Sequence, residues 1–279
     1  MEIRVPLHIT GFWKPIYTSD PVTTGSLGAG VNIEPKLVVK ASVSKNSKLY
    51  LNDERLLSVD SVNNVFSSVN GGVVVRGYSK APLGAGYGLS AALALAASVA
   101  SAVLYGGETI EKAALRAHVA EVKARTGLGD VIAEFYGGLE VRVKPGPPGV
   151  GEVVHIPFNP RIVVLTVPLG RRSTRVMLSE YTSELSRLAG ELVEKLIENP
   201  SLEDFIEYSS MFTRRFFDYT IPDELMDGVR GKVIGYYMKK CVLTVFVEED
   251  YAQDVEEYIK SRGFRVIRGR ITQSGLEVL

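Results

Sequence analysis

The apolar positions change period as the chain runs. From Met1 to Thr10 they alternate loosely with polar ones, which predicts a half-buried strand. Val31–Ile33 and Leu37–Val43 read as strands, as does the β-branched run Gly72–Tyr78. Lys48–Leu51 and Arg55–Val59 predict a hairpin about Asn52-Asp53. Between the first strands, Gly11–Gly30 is non-periodic and rich in Gly, Pro, Ser and Thr, which predicts a long functional connection. The alternation then stops. Ser90–Tyr105 is an alanine-rich run without Gly or Pro, a helix closed by Gly106-Gly107. A second helix is expected over Glu108–Arg125, a short one over Val131–Tyr136 ended by Gly137-Gly138, and a strand over Leu139–Lys144. After the breaker P-G-P-P-G the pattern restarts. It predicts strands at Val153–Ile156 and Ile162–Val167, and an amphipathic helix at Glu180–Glu198. A helix capped by Ser201 then runs through Phe217. Strands at Lys232–Tyr236 and Val242–Val247, a helix at Tyr251–Arg262 and a strand at Phe264–Arg268 complete the reading. The chain divides into an N-terminal unit, residues 1–150, and a smaller α+β unit, residues 151–279.

Composition narrows the partners. The 32 basic and 32 acidic residues cancel, so no bulk polyanion is indicated and no nucleic acid is expected. The single cysteine, Cys241, excludes an internal disulfide and a Cys-based zinc site, and it is expected in the core of the run Cys241–Val247. The N-terminus has no basic stretch leading into a long apolar one, and Ala91–Leu104 is shorter than the roughly 20 residues of a membrane span. A cytoplasmic protein without a membrane partner is expected. The sequence leaves a homodimer open.

The chemistry concentrates at Pro82, Leu83, Gly84, Ala85, Gly86, Tyr87, Gly88, Leu89 and Ser90. Alternate glycines feeding a helix N-terminus suit a phosphate, because the terminus offers unpaired N–H groups and a positive dipole end. A tight strand-to-helix packing turn is the plainer reading. Ser90 reads equally as an N-cap and as a hydroxyl ligand of the Mg²⁺ that accompanies ATP. His118, Glu121 and Arg125 fall three and four apart on the second helix, so they share a face, and Asp130 follows in the turn T-G-L-G-D. One carboxylate would bind Mg²⁺ and the other would orient a substrate hydroxyl. A solvated helix face and a turn aspartate are the alternatives.

These residues resemble the GHMP kinases, which include galactokinase, homoserine kinase and mevalonate kinase. P-L-G-A-G-Y-G-L-S-A-A is similar to their ATP-binding motif, and T-G-L-G-D-V-I-A-E-F-Y-G-G to their segment of aspartate and paired glycines. Within them, H-I-T-G-F-W, D-P-V-T-T-G-S-L-G-A-G, H-V-A-E and R-R-S-T-R-V-M-L resemble the pantoate kinases of archaea, over residues 6 to 178. The resemblance implies an α+β, two-domain GHMP kinase fold. Its N-terminal domain would be like ribosomal protein S5 domain 2, and its C-terminal domain ferredoxin-like. It implies ATP and Mg²⁺, with Pro82–Ser90 on the nucleotide, Ser90 and Glu121 on the metal, and Asp130 as the catalytic aspartate. It places Ser26, His118, Arg142 and Thr174 around pantoate, which would be phosphorylated on its primary hydroxyl. A carboxylate on that acceptor wants a guanidinium, which fits Arg142. Homoserine, a mevalonate-like acceptor or another small hydroxy acid is the alternative, and a silent nucleotide-binding homologue the alternative class. Two departures stand out. His8 occupies the place where mevalonate-type enzymes carry a lysine, with Lys14 and Lys80 as candidate substitutes. The third glycine-rich motif is reduced to Gly231 and Gly235 in G-K-V-I-G-Y-Y-M-K-K-C.

Overall fold

A computed structural model describes residues 1–174, 177 and 181–279. The chain runs β1 (Glu2–Ile16), β2 (Gly25–Ser44), β3 (Lys48–Leu51), β4 (Glu54–Leu56), α1 (Asp60–Ser68), β5 (Gly72–Tyr78), α2 (Leu89–Tyr105), α3 (Ile110–Ala124), α4 (Asp130–Tyr136), β6 (Leu139–Lys144) and β7 (Glu152–Ile156). There follow β8 (Ile162–Pro168), α5 (Ser183–Glu198), α6 (Leu202–Thr213), α7 (Thr220–Asp227), β9 (Gly235–Lys239), β10 (Val242–Glu248), α8 (Glu249–Ser261), β11 (Ile267–Arg270) and β12 (Glu277–Val278). One sheet has the order β12-β1-β2-β5-β3-β4, with β6 on the N-terminal part of β2 and β7 on β6. The other is an antiparallel sheet of order β11-β8-β10-β9. Glu152–Ile156 therefore adds to the first sheet, and the second begins at Ile162.

Most of Gly11–Gly30 is strand rather than loop. Phe12 pairs with Ala29, Trp13 with Gly28 and Pro15 with Ser26, so large residues of β1 face small ones of β2, and only residues 17–24 connect them. Register shifts between Val5 and Leu7 and between Thr10 and Phe12 break the alternation that would have marked the strand. Helix α1 went unpredicted because it is short and its N-cap is Val59, without a side-chain cap. Helix α7 went unpredicted because Pro222 stands in its first turn. The predicted start of the helix at Glu180 lies outside the described residues. Ser201 does cap α6, its Oγ accepting from the Asp204 N–H at 3.0 Å. Cys241 is half-buried in the β9–β10 turn rather than in the core.

Helix α2 is buried on every side from Ala91 to Ala102, as an all-round apolar helix must be. Its alanines let α1, α3, β1 and β2 approach closely. The two sheets meet at β1 and the loop before α2. Tyr237 Oη donates to the Ile9 carbonyl at 2.9 Å, and Tyr87 Oη meets Thr166 Oγ1 at 3.0 Å. Phe12 and Trp13 pack on Phe212 of α6, Trp13 edge-on with centroids 5.1 Å apart. The seam between the sheets is where the candidate site opens.

Candidate active site

The glycine loop adopts backbone that other residues resist. Gly84, Gly86 and Gly88 have φ of 85°, 129° and 70°. A Cβ on Gly86 would stand 2.5 Å from the Lys239 carbonyl oxygen. Gly88 itself is the N-cap of α2, without a side-chain cap, so Ser90 lies in the first turn with its hydroxyl not used for capping. The capping reading of Ser90 is thereby replaced. A cavity of about 340 Å³ opens against Leu83, Gly84, Gly86, Tyr87, Gly88, Leu89 and Ser90. Its other walls include Ser26, Gly127–Asp130, Arg142, Thr174, Lys239 and Lys240. Pro82 and Ala85 do not line it, and the Tyr87 hydroxyl is spent on Thr166.

Two carboxylates converge on the turn before α4. A Cβ on Gly127 would be 2.5 Å from Glu121 Oε2 and 3.2 Å from Asp130 Oδ2. Glu121 is buried, and neither of its oxygens has a hydrogen-bond partner among the described residues. Burial pushes its carboxyl up to about 7; Ser61, Thr126 and Ser90 oppose the rise, and the Asp130 charge adds to it. A desolvated carboxylate beside the hydroxyls of Ser61, Thr126 and Ser90 offers the oxygen donors that a hard divalent cation takes. Glu134, also buried and unpartnered, is pushed well above the carboxylate range by burial and by Asp130 and Glu121. The linkage has a definite sign. A carboxyl raised in the folded state favours folding when both states are protonated, and that advantage is lost as pH rises from the unfolded value to the folded one. Metal-free protein is expected to lose stability from about pH 4.5 to about pH 7, by on the order of 3 kcal/mol for Glu121 alone. Glu121→Gln should flatten that slope in thermal melts taken across the range. An unchanged slope would move the effect to other groups.

Asp130 heads a buried chain of polar groups. His8 Nδ1 lies 2.7 Å from Asp130 Oδ1, and His8 Nε2 lies 3.0 Å from Glu140 Oε1. Arg142 Nη1 donates to the same Glu140 oxygen. Burial works to raise the Asp130 carboxyl, but the His8 hydrogen bond and the charges of His8, Lys239 and Arg142 outweigh it and hold it well below the usual range. Arg142 is 1% exposed, and its Nε is a buried donor with no partner among the described residues. A Cβ on Gly129 would be 2.5 Å from Ser26 Oγ and 2.7 Å from Arg142 Nε, so both side chains close on that turn. The register Gly28↔Arg142 between β2 and β6 brings them there.

Not every expected residue faces the cavity. His118 is buried on the same helix as Glu121, but its Nε2 meets the Thr24 carbonyl at 2.8 Å. It fixes the segment that presents Ser26 and does not line the cavity. Arg125 ends the helix in a left-handed conformation and is exposed, so it leaves their shared face. Thr174 lines the cavity and accepts from Lys240 Nζ. Neither substitute cation is at the site. Lys14 reaches towards Gly190 on α5, and Lys80 is exposed. The cations come from the far half of the chain, Lys239 and Lys240 of the β9–β10 hairpin. The Cys241 N–H of that hairpin donates to the Ala85 carbonyl at 3.1 Å, and the Arg172 N–H to the Gly84 carbonyl at 3.2 Å. The hairpin, the end of the stretch in which the third motif is reduced to Gly231 and Gly235, thus backs the glycine loop. The sequence signal was the pair K-K between two apolar runs. For Glu140 it was a charge two positions before Arg142, which on a strand is the same face.

The family model for the GHMP kinases N terminal domain matches residues 56–138. A pantoate kinase from Thermococcus kodakarensis is 35% identical over 241 residues, spanning 81% of this chain and 78% of that one. The chain belongs to the GHMP kinase family. A pantoate kinase from Methanocaldococcus jannaschii is 29% identical, over 74% of this GHMP kinase and 77% of its own length. Among solved structures, a "phosphotransferase related to CoA biosynthesis pathway" superposes with a TM-score of 0.87 at 28% identity, covering 99% of this chain and 98% of its own. A mevalonate kinase superposes with a TM-score of 0.71 at 14% identity, covering 97% and 99%, a likeness of fold.

Proposed function

We propose that this GHMP kinase transfers the γ-phosphoryl group of ATP to the primary hydroxyl of (R)-pantoate, giving 4-phosphopantoate in coenzyme A biosynthesis. The observation that carries the choice of acceptor is the buried Arg142 Nε. It is an unpartnered donor on the cavity wall beside Ser26 and the Asp130 turn. A guanidinium donor without a partner is a site for a small carboxylate. The relatives of this chain named pantoate kinase support pantoate as that carboxylate.

In this reading the N–H groups of the glycine loop and the α2 terminus hold the phosphates. Ser90 and Glu121 would hold Mg²⁺, which when bound would neutralise phosphate charge. Arg142 and Ser26 orient the acceptor, with Thr174 across the cavity. His8 keeps Asp130 aimed, and Asp130 takes the hydroxyl proton. An aspartate held this acidic is a weak base towards a free alcohol. Proton transfer therefore comes late, once the new oxygen–phosphorus bond has acidified the hydroxyl. Positioning and charge neutralisation supply most of the rate. Steady-state ATP consumption with pantoate, mevalonate and homoserine side by side tests the reading, and pantoate should give the highest kcat/KM by at least about tenfold. A higher value for either of the others would displace it.

A further inference from the structure

We propose that Lys239 is a catalytic residue whose ammonium donates to the oxygens of the phosphoryl group in flight; this rests on the kinase reading above and deepens it. The lysine is anchored on the phosphate loop. Its carbonyl oxygen lies 2.5 Å, and its Cγ 3.4 Å, from where a Cβ on Gly86 would be. Its side chain runs from there across the seam between the sheets, and its ammonium rests 3.7 Å from the centroid of the Trp13 ring. The residue is 8% exposed and lines the cavity.

Two neighbouring cations already make side-chain hydrogen bonds. Arg142 donates to Glu140 and Lys240 to Thr174. Of these three, Lys239 alone has no side-chain hydrogen bond among the described residues. A buried ammonium held only by an aromatic face is costly until an anion reaches it. Burial pulls its pKa down to about 7, while Asp130 pulls the other way and Lys240 and Arg142 add to the fall. An arriving triphosphate relieves that cost. In flight the phosphoryl group is fully bonded to neither oxygen and carries its charge on three equatorial oxygens, and an ammonium placed for that geometry favours the transition state over the ground state.

The place of the ammonium suits the step. The residue is rooted against the loop that holds the phosphates, and its ammonium feels the charge of Asp130. The acceptor oxygen bonds to the γ-phosphorus, and the bond from that phosphorus to the β–γ bridging oxygen breaks. ADP leaves with the electron pair, and the hydroxyl proton passes to Asp130. Lys239 neither gains nor loses a proton; it holds charge.

Lys239→Met should lower kcat by about 10²-fold or more, with KM for pantoate within about threefold and Kd for ATP raised by no more than about tenfold. Lys239→Cys in a Cys241→Ser background should be equally slow, and aminoethylation of the new thiol should restore at least about tenfold, since it returns an ammonium at nearly the same reach. Carbamidomethylation should restore nothing. Retained kcat in Lys239→Met, or a raised pantoate KM with kcat intact, overturns the proposal; the latter gives Lys239 to the acceptor carboxylate. If Lys239→Met fails to fold, the aminoethylated variant carries the test, and absence of recovery there overturns it. Wild-type enzyme assayed alongside separates the two readings: no turnover of pantoate removes the function and this proposal together, whereas active wild type with an active Lys239→Met removes the proposal alone.

Discussion

Asp130→Asn is expected to lower kcat by about 10³-fold or more while ATP still binds. The amide keeps an oxygen for His8, which stands 2.7 Å from the carboxylate, so the geometry of the turn should survive. What is lost is the acceptor for the hydroxyl proton and a negative charge facing Lys239. Because the carboxyl is held strongly acidic, its contribution comes from orienting the hydroxyl and receiving the proton late. The loss should therefore appear in single-turnover chemistry and not in nucleotide affinity measured by calorimetry. Near-normal single turnover would remove Asp130 from this role.

Arg142→Ala should be costly twice over. With the guanidinium gone, pantoate loses its carboxylate partner and KM should rise about tenfold or more. The structure adds a folding cost that strand position alone did not suggest. Arg142 donates to Glu140, which is fully buried, and removing one member of a buried pair costs about 3–5 kcal/mol. Glu140→Gln combined with Arg142→Met should recover much of the stability while leaving KM high. Denaturant midpoints and pantoate KM measured on both proteins separate the two effects. A double variant with normal KM would give the acceptor carboxylate to another group.

The parts of this protein that were legible in sequence are those whose cause is local. Helix α2 was found to within a residue at its start because nothing in Ser90–Tyr105 opposes a helix. The glycine loop, Glu121 and Asp130 could be singled out because their spacing recurs as a motif, and the structure brings the loop and Asp130 to one cavity with Glu121 against the Asp130 turn. What escaped was set by distant pairing. The β1–β2 ribbon hid behind two register shifts and a run of glycines and prolines. The bond of His118 to Thr24 could not be told from a helical spacing, which says which residues share a face and not what that face meets. The chain from Asp130 through His8 to Glu140 and Arg142 joins residues of β1, α4 and β6. No local pattern brings those together. Lys239 and Lys240 were not singled out because they reach the cavity only through a hairpin that docks against a loop far back in the chain.

The register Gly28↔Arg142, which closes Ser26 and Arg142 on the Asp130 turn, has a further consequence. The family-matched stretch, residues 56–138, contains Ser90, Glu121 and Asp130. Ser26, Arg142 and Thr174 lie outside it. In the proposed assignment, Ser90, Glu121 and Asp130 sit in that stretch with Lys239 reaching in from the far half of the chain, and Ser26 and Arg142, which choose the acceptor, arrive on strands paired alongside it. Selection can then exchange one alcohol for another by rewriting the flanking ribbon while the phosphate chemistry is left intact. An architecture divided in this way can diversify its substrates without reinventing its reaction.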